Sequence, residues 1–358
     1  MNGTDRFTIG QKKVGTGQPV YFIADIASSH DGELSRAVDL IYLAAEAGAD
    51  CAKFQHFLAK DIVSDVGFVA LGQQGSHQAA WKQSVFEVFE KYQTPRNWTT
   101  ELVAACKKAG VDYMTTPYDA EALALMDPFV GAYKIGSGDI ACTDFLADVA
   151  RRKKPVFLAT GAATITDVKR SVSAILAHTN QICLMQCNTN YTGELNNFNY
   201  INLKVLQTYA KLFPEMILGL SDHTPGHATT LGAVALGAKA VEKHFTDDNT
   251  RDGPDHGFSM NPASWREMVE RTRELERALG DGIKRVEGNE QQAAIVQRRA
   301  LRLTTDLPAG HLLCAADIEA LRPKPVGAIE PWQQSQMIGR TLPRAFKKGE
   351  ALMDKDFP

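Results

Sequence analysis

The sequence predicts an eight-stranded β/α barrel followed by a small separate module. Short runs of β-branched and aromatic residues alternate eight times with apolar residues at helical spacing. The series ends at Leu279, a span that fits a (β/α)8 barrel of about 250 residues plus insertions. Beyond it the chain turns polar and loses the alternation. An open doubly wound sheet is the competing arrangement, but no GxGxxG follows the first strand run.

The first apolar run, VYFIADIA at 20–27, leads into Leu34, Val38, Ile41 and Ala45 at helical spacing, stopped by Gly48. A second strand at 51–54 is separated by a long polar insertion, 55–96, from a helix at 98–108 that Gly110 closes. Strand 112–115 then precedes helix 120–126, strand 132–135 precedes 144–151, strand 156–159 precedes 166–177, and strand 182–186 precedes 203–211. Strands 216–220 and 240–243, with helices 228–236 and 263–279, complete the eight units. The barrel domain is therefore placed at 1–280, a connector at 281–297 and a terminal domain at 298–358. That last domain holds an imperfect repeat, LPAGHLLCAADI at 307–318 against FKKGEALMDKDF at 346–357, each with a glycine turn, an apolar pair and an Asp near its end. Some 60 residues make a marginal core alone, so this module is expected to pack on something.

The chain has 358 residues, 39 basic against 42 acidic side chains and a net charge of −3. Neither a nucleic-acid coat nor a polybasic membrane anchor fits such a balance. With 44% hydrophobic and 23% charged residues, disordered and collagen-like classes are unsuitable too. Residues 1–13 lack an apolar targeting run and no stretch is apolar enough to span a bilayer, so a cytoplasmic protein is expected, without nucleic-acid or membrane partners. The six cysteines show no CxxC and read as reduced, buried thiols.

In a β/α barrel the active site lies at the C-terminal ends of the strands. Polar residues there are the candidates: Asp25, Ser28, Ser29 and His30 after the first run, Lys53, Gln55 and His56 on the second, Thr115 and Thr116 on the third. Lys134 to Asp139 (KIGSGD), Thr160, Asn188 to Tyr191, Ser221 to His223, and Lys243 with His244 follow. Helix capping explains such residues equally, because Ser, Thr and Asp favour that position. Lys53 and Lys134 stand out because a strand lysine is costly to bury without an anionic partner. With the hydroxyls of Thr116, Ser137 and Ser221 and the N–H groups of Gly136 and Gly138 they could hold a phosphate; alternatively they pair with Asp25 or Asp139. His223 and His244 end neighbouring strands, where two imidazoles could share one divalent ion such as Mn²⁺, with Mg²⁺ or Co²⁺ as alternatives. Asp222, Asp247 and Asp255 lie nearby as further ligands, solvated loop charges or caps.

These residues resemble the sialic acid (N-acetylneuraminate) synthase family of nonulosonate synthases. The matching segments include IADIASSHDG at 23–32, AGADCAKFQ at 47–55, TTPYD at 115–119, AYKIGSGD at 132–139, GLSDHT at 219–224, EKHFTD at 242–247, GPDH at 253–256 and FSMNP at 258–262. The C-terminal module resembles the family's antifreeze-like (SAF) domain, with LRPKPVG at 321–327 in place of its Arg-Pro segment. The resemblance implies a transferase that condenses phosphoenolpyruvate with an open-chain 2-acetamido hexose, releasing phosphate and a nine-carbon 2-keto-3-deoxy acid. It implies His223 and His244 as metal ligands, and Lys53, Thr116, Lys134, Ser137, Ser221 and Thr189 as phosphoenolpyruvate contacts. Tyr191 and Asp255 would contact the sugar, with Arg322 arriving from the second subunit of a domain-swapped homodimer, and Asp25 would handle the proton. Asp25 stands where the family usually has Glu, and Ala159 where it has a phosphate-contacting Ser. These changes widen the acceptor to legionaminic-type 2,4-diacetamido precursors. A 3-deoxy-sugar-phosphate synthase and a non-catalytic sugar-binding homologue are the alternatives. The insertion at 55–96, tipped by GQQGSHQ at 72–78, reads as a substrate lid or as a plain surface loop, the lid being favoured because long barrel loops sit over the active site.

Overall fold

The computed structural model describes residues 4–72, 78 and 81–357, so most of the insertion tip lies outside the described residues. The chain divides into two compact units, Met1–Gly280 and Asp281–Pro358.

The first unit opens with a hairpin, β1 (Arg6–Ile9) and β2 (Lys12–Gly15), paired from Ile9↔Lys12 to Arg6↔Gly15. Gly10 makes its tight turn at φ +54°, where a Cβ would also come within 2.5 Å of Asp112 Oδ1. Alternation then runs β3 (Tyr21–Asp25), α1 (Leu34–Glu46) and β4 (Cys51–His56). Among its described residues the insertion carries three helices, α2 (Ala59–Ile62), α3 (Asp65–Leu71) and α4 (Val85–Tyr92), before α5 (Thr99–Ala109). Next come β5 (Asp112–Pro117), α6 (Ala120–Met126), β6 (Tyr133–Ile135), α7 (Thr143–Arg151), β7 (Val156–Ala159) and α8 (Ile165–Leu176). β8 (Ile182–Cys187), α9 (Val205–Leu212), β9 (Ile217–Asp222), α10 (Ala228–Ala235), β10 (Ala238–His244) and α11 (Pro262–Leu279) complete it. The eight strands β3 to β10 are parallel and close into a barrel, sealed where β10 pairs β3 from Ala240↔Tyr21 to His244↔Asp25.

Side chains alternate along each strand. Phe22, Ala24, Phe54, Leu184 and Leu220 face outward and pack with the helices, which contribute Leu40, Ile41 and Trp265. Tyr21, Ile23, Cys51, Met114, Phe157 and Met185 face inward and fill the lower barrel together with Phe7, Ile9 and Val14 of the hairpin. The hairpin therefore plugs the N-terminal end, with the Phe7 ring set edge-on to Phe157 at 5.5 Å. Its strands are only four residues long, too short for a periodic pattern to show in sequence. With the bottom plugged, the polar inward residues at the opposite end line the open mouth.

The second unit carries a short helix α12 (Gln291–Val296) within the expected connector, then β11 (Ala300–Leu303), β12 (Ile318–Leu321) and α13 (Gln334–Met337). Its core is Leu301, Leu303, Leu313, Ile329, Leu342, Phe346 and Leu352, among others. The two repeat copies face each other: the Leu307 N–H donates to Phe346 O at 3.0 Å, and the Phe346 N–H returns to Leu307 O at 2.9 Å. Both copies turn on a glycine with positive φ, Gly310 at +82° and Gly349 at +78°, which is why the repeat shows in sequence. Arg322 is exposed on this unit.

Candidate active site

Alternation puts Asp25, Lys53, Lys134, Glu242 and His244 on the inner faces of β3, β4, β6 and β10. Lys53 Nζ lies 2.7 Å from Asp25 Oδ2, 3.3 Å from Glu242 Oε1 and 3.3 Å from Thr116 Oγ1. Lys134 Nζ lies 2.7 Å from Glu242 Oε2. Glu242 thus bridges both ammonium groups across the barrel. Lys53 also donates to Thr116 Oγ1, so the two ammonium groups are held by carboxylates and a hydroxyl at once. Burial alone would lower the Lys53 pKa, but the carboxylates of Asp25 and Glu242 outweigh it and hold the ammonium above its usual value. Burial would likewise raise Glu242; Lys134 and Lys53 overcome that and hold it well below the carboxylate range. Asp25 also accepts from Gln55 Nε2 at 3.0 Å and from the Ala27 N–H at 3.1 Å.

A cavity of about 50 Å³ at this mouth is lined by Asp25, Lys53, Thr116, Lys134, Ser137, Tyr191, Ser221, His223 and His244 among the expected residues. Ser137 Oγ accepts the Gly161 N–H at 2.9 Å. A Cβ on Gly161 would stand 2.0 Å from Thr189 Oγ1 and 2.9 Å from Ser137 Oγ, so only glycine lets the strand end approach. Thr189 itself is exposed at the rim and does not line this cavity. Ala159 lines it and supplies no hydroxyl. Asp255 lines an adjoining cavity and accepts the Ser28 N–H at 2.9 Å.

The aspartates separate into distinct roles. Asp139 pairs with neither lysine among the ion pairs of the described residues, and burial lifts its carboxyl to about 6. Asp222 is buried against Lys243, whose Nζ is 2.5 Å from Oδ2. Asp247 is paired bidentately with Arg36. Glu242, Gln55, Tyr118 and Cys187 also line the polar cavity. Glu242 escaped the strand-end search because it precedes the end of β10; a period of two from His244 places it on the same face.

The His223 and His244 rings lie 5.3 Å apart, and Tyr191 packs 4.3 Å from His223. His223 Nδ1 donates to Asn188 O at 2.9 Å, which orients the ring. Burial would lower its pKa, but Cys187 and the Asn188 carbonyl outweigh that and hold the imidazole above its usual value. His244 Nδ1 is buried without a hydrogen-bond partner, and Nε2 is 3.6 Å from Asp25 Oδ2. Burial pushes His244 down toward the neutral, ligating form, although Asp25 and Asp255 oppose that shift. The described residues form no cluster of three or more His, Cys, Asp or Glu side chains able to hold a metal ion. The pair nevertheless fits a divalent ion bound through two nitrogens with its other positions open to oxygen ligands, because it presents an orphaned imidazole nitrogen.

A closed barrel of eight parallel strands, with paired lysines and an imidazole couple at its C-terminal mouth, belongs to the (β/α)8 class of protein. The chain belongs to the NeuB family: the family model matches residues 40–284, and an SAF domain model matches 298–358. It is 31% identical over 336 residues to the N,N'-diacetyllegionaminic acid synthase of Campylobacter jejuni, covering 93% of this chain and 98% of that protein. It is 38% identical over 283 residues to the spore coat polysaccharide biosynthesis protein SpsE of Bacillus subtilis, covering 77% and 73%. The crystal structure of N-acetylneuraminic acid synthetase from Leptospira borgpetersenii, in complex with citrate, superposes with a TM-score of 0.70 at 26% identity, over 82% of this chain and 96% of that one. Among the described residues no helix is long and apolar enough to cross a membrane.

Proposed function

We propose that the protein condenses phosphoenolpyruvate with the open-chain aldehyde of a 2-acetamido or 2,4-diacetamido hexose, making a nine-carbon 2-keto-3-deoxy acid and inorganic phosphate. The observation that carries this reading is the pair of buried ammonium groups, Lys53 and Lys134, tied to one carboxylate beside the imidazole couple.

Lys53, Lys134 and the hydroxyls of Thr116, Ser137 and Ser221 hold the phosphate and carboxylate of phosphoenolpyruvate in the small polar cavity. Thr189 closes that site at the rim. Tyr191, Asp255 and the partner subunit's Arg322, in a domain-swapped homodimer, hold the sugar. His223 and His244 hold a divalent ion, for which Mn²⁺ suits the two-nitrogen set, and such an ion supplies Lewis-acid polarisation of the aldehyde oxygen. C3 of phosphoenolpyruvate forms a bond to the sugar C1 while the C1 oxygen gains a proton. Water adds at C2 and passes one proton to Asp25, which relays it to the C1 oxygen; the C2–O bond to phosphate then breaks as the C2 hydroxyl collapses to the ketone, its remaining proton leaving with the phosphate. Asp25 suits that role because its Oδ2 already faces Lys53, Gln55 and His244.

Purified protein with Mn²⁺, phosphoenolpyruvate and N-acetylmannosamine or a 2,4-diacetamido hexose is expected to release phosphate. Silence across such a panel would refute the reading.

A further inference from the structure

At three places around the barrel, neighbouring strands end in a pair of polar side chains that strand period two sends outward, toward the helices. Two of these pairs close on themselves. His56 of β4 meets Thr115 of β5 at 2.7 Å, and Lys243 of β10 meets Asp222 of β9. The third pair, Thr160 after β7 and Gln186 of β8, follows the outward apolar residues Leu158 and Leu184 but faces a cavity of about 480 Å³ instead. That cavity lies outside the barrel wall, lined by the start of α8 and by α9. Gln186 is only 7% exposed. Its Nε2 donates to Ile201 O at 2.8 Å, and since a carbonyl receives only from the amide nitrogen, Oε1 is turned the other way, where it meets no donor among the described residues. The Tyr209 hydroxyl donates to Thr160 Oγ1 at 2.9 Å and keeps its own lone pairs open. The inward residues Ala159 and Cys187 line the small polar cavity, and Cys187 lines this one too, so the ends of β7 and β8 are the partition between them.

A buried acceptor left unmatched costs about 1–3 kcal/mol, and leucine would continue the apolar pattern of β8 without that loss. The outer cavity therefore carries polar groups that the packing of the barrel does not call for. The volume suits a small molecule, for which cavities of about 300–1,000 Å³ are usual. Its chemistry narrows the class. No charged side chain lines it among the described residues, so an anion or cation would be desolvated with nothing to neutralise it. Neutral oxygens and amides of Gln186, Tyr209, Thr208 and Asn202 alternate with the apolar surfaces of Ile165 and Val205, and Tyr200 stands at the rim with its ring 63% exposed. Hydroxyl donors on one edge and a C–H face to lay on an aromatic ring are the two features of a pyranose. We infer that this outer cavity is a second carbohydrate site, separate from the barrel mouth, that takes an uncharged hexopyranose with its hydroxyls on Gln186 and Tyr209 and its C–H face on Tyr200.

The probe is methyl α-mannopyranoside, whose locked acetal has no aldehyde and so cannot enter the proposed condensation. Saturation-transfer NMR on the full chain, with phosphoenolpyruvate and Mn²⁺ in excess, is expected to show transfer to the ring protons of the glycoside and none to glucose 6-phosphate. Gln186→Leu should weaken glycoside binding by about 10-fold or more, because a ligand hydroxyl loses its acceptor. Thr208→Arg, on the exposed side of α9, should block the cavity without touching a buried group, which keeps the test open should the first variant fold poorly. No transfer to the glycoside in the parent protein overturns the inference. So does transfer that persists undiminished in both variants, which would place the sugar elsewhere, or transfer to glucose 6-phosphate as strong as to the glycoside. None of these results bears on phosphate release from phosphoenolpyruvate, so the condensation stands or falls separately.

Discussion

Replacing Lys243 with Met should unlock the two strands that carry the imidazole pair. Lys243 and Asp222 are cross-strand neighbours on β10 and β9, each one residue before a candidate metal ligand. Both side chains are 1% exposed, and Lys243 Nζ meets Asp222 Oδ2 at 2.5 Å and Thr224 O at 2.6 Å. Asp222 Oδ2 also accepts the hydroxyls of Thr224 at 2.8 Å and Thr229 at 2.7 Å. Burial would raise the Asp222 pKa, but Lys243 outweighs it and keeps the carboxylate ionised. Lys243→Met strands that charge, at a cost of about 3–5 kcal/mol. At about 2–4 °C per kcal/mol for a domain of this size, the melting temperature should fall by about 6–20 °C. The double variant Lys243→Met/Asp222→Val replaces the pair with apolar volume and should recover most of that loss. It should still bind Mn²⁺ more weakly, because Thr224 and the turn carrying His223 lose their anchor. Calorimetric melting and Mn²⁺ titration of both variants decide the matter. A single variant melting within 2 °C of the parent would refute the reasoning, since a buried unpaired carboxylate cannot be that cheap.

Glu242→Gln should cost about 3–5 kcal/mol by leaving Lys53 and Lys134 sharing one fewer carboxylate, and added phosphate should restore melting more in the variant than in the parent. An unchanged melting temperature without phosphate would rule out the bridging role. His223→Ala should abolish Mn²⁺ binding by calorimetry while the far-ultraviolet spectrum stays that of the parent; retained binding would exclude His223 as a ligand. Acidification should destabilise the barrel through His30, whose burial lowers its pKa from 6.5 to about 4 and whose Nδ1 accepts the Gly32 N–H at 3.0 Å. Because the folded pKa is the lower one, the unfolded chain takes up the proton first. Stability is full above about pH 6.5 and falls by roughly 3 kcal/mol toward pH 4. His30→Gln should flatten that slope in melting curves taken from pH 7 to 4, and an identical slope would refute the assignment.

The apolar runs and their alternation with helical spacing carried the barrel on local information alone. Strand period two then places Lys53, Lys134 and His244 on inward faces without any knowledge of contacts. The repeat in the second unit was legible for a similar reason, since two turns with positive φ demanded glycine at Gly310 and Gly349. The N-terminal hairpin was not legible, because four residues per strand are too few to show a period and its burial depends on the barrel bottom it plugs.

The sequence by itself determined which polar residues stand at the strand ends and that two lysines needed anionic partners. Only the tertiary structure decided who those partners are. Lys53 takes Asp25 and Glu242, Lys134 takes Glu242, and Asp139 takes neither. The physical reason is barrel closure. β4, β6 and β10 are not all neighbours in the sheet, so a carboxylate reaching both lysines acts across the lumen, at a distance set by strand tilt and stagger rather than by separation along the chain. The same closure brings an aromatic wall of the insertion, Phe57, Trp81 and Phe89, beside the polar cavity, a proximity that the long polar stretch does not show in sequence.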